Sequence, residues 1–138
     1  METAKHVDFD KYAEFVDAVT SDASKDFLAL SDRLVALDEK GANIERLLTG
    51  FVGMSAESAE GLDIVKKLVF QSKSWTPEIR DHLIKECGDV CFYLAETLIA
   101  LDISLDEVIQ KNVEKLSSRY PNGYFEAFYS ENRKSGDI

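Results

Sequence analysis

The sequence is poor in the residues that interrupt or cross-link a chain. Two prolines and seven glycines in 138 residues leave room for long unbroken helices. The two cysteines, Cys87 and Cys91, share one CGDVC segment. One pair makes no disulfide framework, and four-residue spacing reads as two reduced, small apolar residues on one face of a buried helix. The two histidines, His6 and His82, are too far apart for a zinc-finger arrangement. No apolar run approaches the ~18–20 residues of a membrane-spanning helix. The opening METAKHVDFDKYAEF has neither the basic start nor the apolar stretch of an export signal. Cations are scarce as well: 16 Lys and Arg stand against 26 Asp and Glu, for a net charge of −10. That balance excludes a general binder of nucleic acid or of anionic membranes, both of which need a cationic surface. The expectation is a cytoplasmic protein that binds neither.

Hydrophobic residues make up 45% and charged residues 30%, which is ordinary for a globular fold. The length fits a single domain over 1–138. Apolar residues recur at intervals of three and four, predicting four or five helices and no strand. A first helix is expected over 8–20, with Phe9, Tyr12, Phe15, Val16 and Val19 on its apolar side. A second is expected over 24–39, ending before Gly41. The stretch 42–71 reads as helical with an irregularity at Gly50–Gly53. Thr76-Pro77-Glu78 is an N-cap, a proline at the first helical position and an acid in the first turn. The helix it opens should run to about Leu101. Ser104 and Glu107 form a capping box for a last helix, which ends before the turn at Pro121-Asn122-Gly123. The final ENRKSGDI is polar and expected to fray. The fold class is all-α: a helical bundle with a four-helix-type core and an extra N-terminal helical segment.

Two acidic pairs could carry chemistry: Glu57/Glu60 and Glu86/Asp89. Their spacing says little alone, because random placement of 26 acids gives about five i,i+3 acidic pairs and five occur. Their surroundings say more. On a helical wheel Glu57 falls beside Ile64 and Leu68, with Glu60 on the flank of that stripe. Residues 87–101 are apolar nearly all the way round, so Glu86 and Asp89 also point to the interior or its margin. Carboxylates crowded near a core repel one another and lose hydration. A divalent cation resolves the conflict, and hard oxygen ligands suit Mg²⁺. The competing reading makes both pairs edge residues in salt bridges. Gly61 and Gly88 lie beside these acids, where a close backbone or ligand approach would explain a helical glycine. Asn112, Lys115 and Arg119 share one helix face with Val108, beside Leu105 and Leu116, and this face is expected to point inward. Two cations and an amide there look like phosphate ligands, unless they only pair with surplus acids.

Glu57-x-x-Glu60, 25 residues, Glu86-x-x-Asp89, then Asn112-x-x-Lys115-x-x-x-Arg119-Tyr120-Pro121 resembles the MazG-like all-α nucleoside triphosphate pyrophosphohydrolases. The motif-bearing core covers about 42–125, and the size resembles the compact single-domain members, including phage-encoded ones. The resemblance implies hydrolysis of a (deoxy)nucleoside triphosphate between the α and β phosphates, giving the monophosphate and pyrophosphate. It implies Mg²⁺, with Mn²⁺ able to substitute, held by Glu57, Glu60, Glu86 and Asp89. One carboxylate of the Glu57/Glu60 pair would orient or deprotonate the attacking water. Lys115 and Arg119 would contact phosphates and stabilise the leaving group, while Asn112 and Tyr120 complete the pocket. Lys73 and Trp75 lie in a loop that in similar proteins can reach the nucleotide. Similar proteins form homodimers or homotetramers, and the same state is expected here, in the host cytoplasm if the gene is a phage's. Relatives that prefer dUTP or phosphoribosyl-ATP use the same four ligands, so the motif does not separate them. A di-iron bundle would need Glu-x-x-His on two helices, and neither histidine sits in such a motif. A non-catalytic helical interaction protein with a solvated acidic face is the remaining alternative.

Overall fold

A computed structural model of the chain describes residues 7–133. Among these there are six α-helices, one 3₁₀ turn and no strand, so the chain is all-α. Two compact units divide it, Met1–Ile44 and Glu45–Ile138.

The first unit holds α1 (Phe9–Val19), the 3₁₀ turn Asp22–Ser24 and α2 (Phe27–Asp38). The helix predicted over 24–39 begins later because Asp26 is its N-cap. The Asp26 carboxylate accepts from the backbone N–H of Ala29 at 2.8 Å. Asp8 caps α1 in the same way, accepting from Lys11 N at 3.2 Å. Beyond α2, Gly41 takes φ +84°. The N–H of Ala42 reaches back to Leu37 O at 3.1 Å and satisfies one of the last carbonyls. Neither helix of this unit has a buried residue.

The second unit is a helical bundle built on two long helices, α3 (Ile44–Phe70) and α4 (Pro77–Leu101), followed by α5 (Leu105–Arg119) and the short α6 (Ala127–Glu131). The caps fall where the residues place them. Thr76 Oγ1 accepts from Ile79 N with Pro77 at the start of α4, and Ser104 Oγ accepts from Glu107 N at 3.2 Å. α4 closes with Asp102 at φ +52°, its N–H and that of Ile103 returning to Ile99 O and Leu98 O. α6 is an addition to the helices expected from the sequence. The expected fraying of the tail concerns residues 134–138 for its larger part, which lie outside the described residues.

α3 and α4 run antiparallel. Arg46 Nη1 meets Glu96 Oε2 at 2.7 Å, Gly50 and Gly53 face Thr97 and Tyr93, and Gly61 faces Glu86. Numbers rise along one helix as they fall along the other. The irregularity expected at Gly50–Gly53 is not there: α3 passes through both glycines as one helix. Their function is close approach. A Cβ on Gly50 would overlap Thr97 Oγ1 and sit 3.0 Å from the Tyr93 carbonyl oxygen, and one on Gly53 would overlap the Tyr93 ring. Both glycines are buried with Ile64, Ile79, Glu86 and Thr97.

Several burial expectations are overturned. Cys87 and Cys91 are exposed rather than core. The apolar circumference of α4 is not covered on most sides, since Phe92, Ile99 and Leu101 are exposed. α5 has no buried residue, and Asn112 and Lys115 lie on its exposed surface instead of facing inward. Gly88 has open space where its Cβ would be, so no close approach explains it. Periodicity marks the apolar side of a helix correctly, but it does not reveal whether one chain has enough partners to cover that side.

Candidate metal centre

The acids converge along the α3–α4 seam, between Gly50 and Gly53 and the buried Ile64 and Ile79. Glu57 and Glu60 lie one turn apart on α3, and Glu86 comes from α4. One carboxylate oxygen from each lies within 4.8 Å of the others. The three environments differ: Glu86 is buried, Glu57 half-buried and Glu60 exposed. Gly61 faces Glu86 here, with its Cβ position at an ordinary contact distance of 3.9 Å from Glu86 Cβ.

Such proximity is electrostatically costly. Burial lifts the Glu57 carboxyl above the usual carboxylate range, and the charges of Glu60, Asp89 and Glu86 lift it further. Asp89 is thus close enough to be felt, although it is exposed and is not one of the three converging acids. Its expected interior placement does not hold. A set of three hard oxygen donors with excess negative charge has the chemistry that Mg²⁺ or Mn²⁺ binds, so the residues fit a divalent cation.

A neighbouring cleft of about 460 Å³ is lined by Glu60, Asp63, Ile64, Lys67, Lys73 and His82. It joins one acid of the cluster to cationic side chains. Asp63 pairs with both Lys66 and Lys67, and these two lysines hold its carboxyl down at about 2. Lys73 lines the same cleft as Glu60 and Asp63. Trp75 is 62% exposed and does not line this cleft. On α4, His82 Nε2 lies 2.8 Å from Glu86 Oε1. The sequence offers His82 as neither a zinc-finger nor a di-iron ligand. The signal that finds it is its four-residue spacing from Glu86.

Asn112, Lys115, Arg119 and Tyr120 of the α5 segment are not among the residues lining this cleft. Asn112 and Lys115 are exposed, and Arg119 and Tyr120 half-buried. Tyr120 packs against Phe125, with ring centroids 5.7 Å apart. Together with Leu116, Pro121 and Tyr124 these rings line a second cleft of about 390 Å³.

With this geometry in view, comparison with known proteins is decisive. The model of the MazG nucleotide pyrophosphohydrolase domain matches residues 47–124, more than half of the chain. The chain belongs to the MazG family. The match spans both acidic pairs, the α3–α4 loop and the Asn112–Tyr120 segment. The Gene 37 protein of Mycobacterium phage L5 is 38% identical over 82 residues, covering 59% of this chain and 72% of that protein. No solved structure gives a significant match. MazG membership implies a hydrolase acting on nucleotides, and the converging carboxylates agree with the divalent-metal dependence typical of the family. The described helices include none long and apolar enough to cross a membrane.

Proposed function

We propose that the protein hydrolyses (deoxy)nucleoside triphosphates between the α and β phosphates, releasing the monophosphate and pyrophosphate. The observation that carries this reading is the meeting of Glu57, Glu60 and Glu86 oxygens within 4.8 Å across two helices, in a chain of the MazG family. Glu57, Glu60 and Glu86, with Asp89 beside them, would hold Mg²⁺ or, in its place, Mn²⁺. Bound there, the cation supplies Lewis-acid polarisation of phosphoryl oxygens and screens the charge of the triphosphate.

The protein's own groups do the rest. A carboxylate of the Glu57/Glu60 pair orients the attacking water and accepts its proton. Lys115 and Arg119 stabilise charge developing on the leaving pyrophosphate. Asn112 and Tyr120 complete the pocket, and Lys73 and Trp75 extend it from the α3–α4 loop. The whole chain acts as one MazG-like domain with its motif-bearing core over 42–125.

The active form is a homodimer or homotetramer in the cytoplasm, or in the host cytoplasm if a phage encodes it. Phe51 and Val52 on α3 and Phe92 and Ile99 on α4 are 59–65% exposed, and large apolar residues exposed along the helices of a catalytic unit call for a partner. Sedimentation as an active monomer would contradict that assembly.

The activity is tested by incubating the protein with Mg²⁺ and each of the eight common nucleoside triphosphates. Pyrophosphate as first product from at least one of them is expected. Orthophosphate as first product refutes the cleavage position, and dUTP run beside the eight separates a broad enzyme from one restricted to dUTP.

A further inference from the structure

α3 carries two stripes, and only one of them is covered. Gly50, Met54, Glu57, Gly61 and Ile64 are buried or half-buried along the seam with α4. The residue after each is exposed: Phe51, Ser55, Ser58, Leu62 and Val65, continued by Leu48 after the half-buried Leu47. One residue turns a helix by about 100°. The exposed residues therefore form a second stripe beside the first, repeating at intervals of three and four. α4 repeats the arrangement. Ile84, Cys87 and Cys91 are exposed and directly follow Leu83, Glu86 and Val90, of which Glu86 is buried and the others half-buried. Because α3 and α4 run antiparallel, the same turn in each brings the two exposed stripes out on one side of the pair. No position in either stripe carries a charge. Glu60 and Asp89 instead precede the seam residues Gly61 and Val90, which turns them to the opposite side.

Exposed area and residue order both name a second copy as what covers this side. The chain exposes 11296 Å², whereas a folded monomer of 15.5 kDa exposes about 7,200 Å². The difference exceeds the roughly 1,000–2,500 Å² that each chain contributes to an obligate homodimer interface. The α3 stripe also reads alike in both directions about the point between Ala56 and Glu57. Leu48 balances Val65, Phe51 balances Leu62, and Ser55 balances Ser58. A two-fold axis at that point sets α3 antiparallel to the same helix of a second copy, with each large side chain meeting a large one, as an isologous contact demands. Serines at the centre let the helices approach, since interaxial distance follows the side chains at the crossing.

We infer that this side of the helix pair is a two-fold interface with a second copy of the chain: α3 packs antiparallel on its counterpart, centred on Ser55 and Ser58, with Phe51 of one copy against Leu62 of the other. This rests on the reading of the active form as a homo-oligomer and states which surface assembles it. Glu60 and Asp89 lie on the other side of the helix pair, so the assembly leaves that side open.

The test is sedimentation velocity of the full chain, with circular dichroism measured beside it. Phe51 and Leu62 are 59% and 67% exposed, so replacing them disturbs no buried packing within the chain. Phe51→Arg and Leu62→Asp should each weaken the wild-type assembly at least about 100-fold, because each buries unpaired charge in an apolar contact. Helical ellipticity should be retained in both. The two substitutions combined in one chain should recover assembly to within about tenfold of wild type, because opposite charges then meet across the interface. Within one chain the two positions stand about 16 Å apart along α3 and cannot pair. Wild-type assembly in both single variants overturns this interface and leaves the homo-oligomer reading standing. Loss in each without recovery in the combination overturns the antiparallel register. A wild type that sediments as a monomer removes the homo-oligomer reading itself, and this interface with it.

Discussion

The residues up to Ile44 and those from Glu45 onward use the same local grammar with different results. In the first unit Asp8 and Asp26 cap α1 and α2, and apolar residues line one side of each helix, yet neither helix buries a residue. In the second, Thr76 caps α4 in the same way and α3 and α4 both carry apolar stripes, but Gly50 and Gly53 let the backbones meet, and Ile64, Ile79, Glu86 and Thr97 are buried. Caps and periodicity therefore specify that a helix forms; small residues at a crossing decide where two helices become a scaffold. The MazG match begins at residue 47, inside the unit that has the seam, and the three acids lie on the same two helices between the glycine pair and the buried Ile64 and Ile79.

That comparison can be broken most severely at the acids. Glu86→Gln keeps shape and removes charge. It should lower turnover by at least about 100-fold, as loss of a metal ligand worth several kcal/mol implies, with helical circular dichroism retained. Near-normal turnover would detach the seam from the chemistry. Next comes the seam itself. Gly50→Ala forces a Cβ onto Thr97 Oγ1 and against the Tyr93 carbonyl, and overpacking of this kind costs about 1–3 kcal/mol in chemical denaturation. Gly88→Ala, with nothing within 4 Å, should instead stabilise the apo protein by about 0.5–1 kcal/mol. Equal effects at the two glycines would refute the close-approach account.

The two units should also differ in how they lose a cap. Ser104→Ala should lower global stability by about 1 kcal/mol, because α5 belongs to the unit with a core. Asp26→Ala should raise amide hydrogen exchange across α2 with little change in the global transition, since an uncovered helix of twelve residues opens on its own. The smallest effect is at Asp63. Its carboxyl is depressed to about 2 by Lys66 and Lys67, so its contribution is present above the ordinary carboxylate range. That contribution fades as pH falls from about 4 toward 2. Asp63→Asn should flatten the acid limb of the stability profile in that window, and added salt should mask the difference because the pair is accessible to solvent.

Much of this was legible from residue order. Thr76-Pro77, Ser104 and Gly41 placed three boundaries because each solves a local problem of unsatisfied backbone groups. The carboxylates of Glu57, Glu60 and Glu86 were legible because two acidic pairs on facing helices conflict with burial unless something joins them. What was not legible depended on the other helix. Gly50 and Gly53 looked like an interruption because no local rule shows that Tyr93 and Thr97 lie opposite. Cys87 and Cys91 looked buried because an apolar circumference does not reveal how much of it a single chain covers. Asp89 shares its motif with Glu86, yet one residue is exposed and the other buried, since three residues advance the wheel far enough to leave the seam.

The account stands on three oxygens from two helices serving one cation. Calorimetric titration of Mn²⁺ into the wild-type chain and into Glu57→Gln and Glu86→Gln tests this most directly. The prediction is saturable binding in the wild type that is lost in each variant, although the substitutions lie on different helices. Undiminished binding in both variants would contradict it.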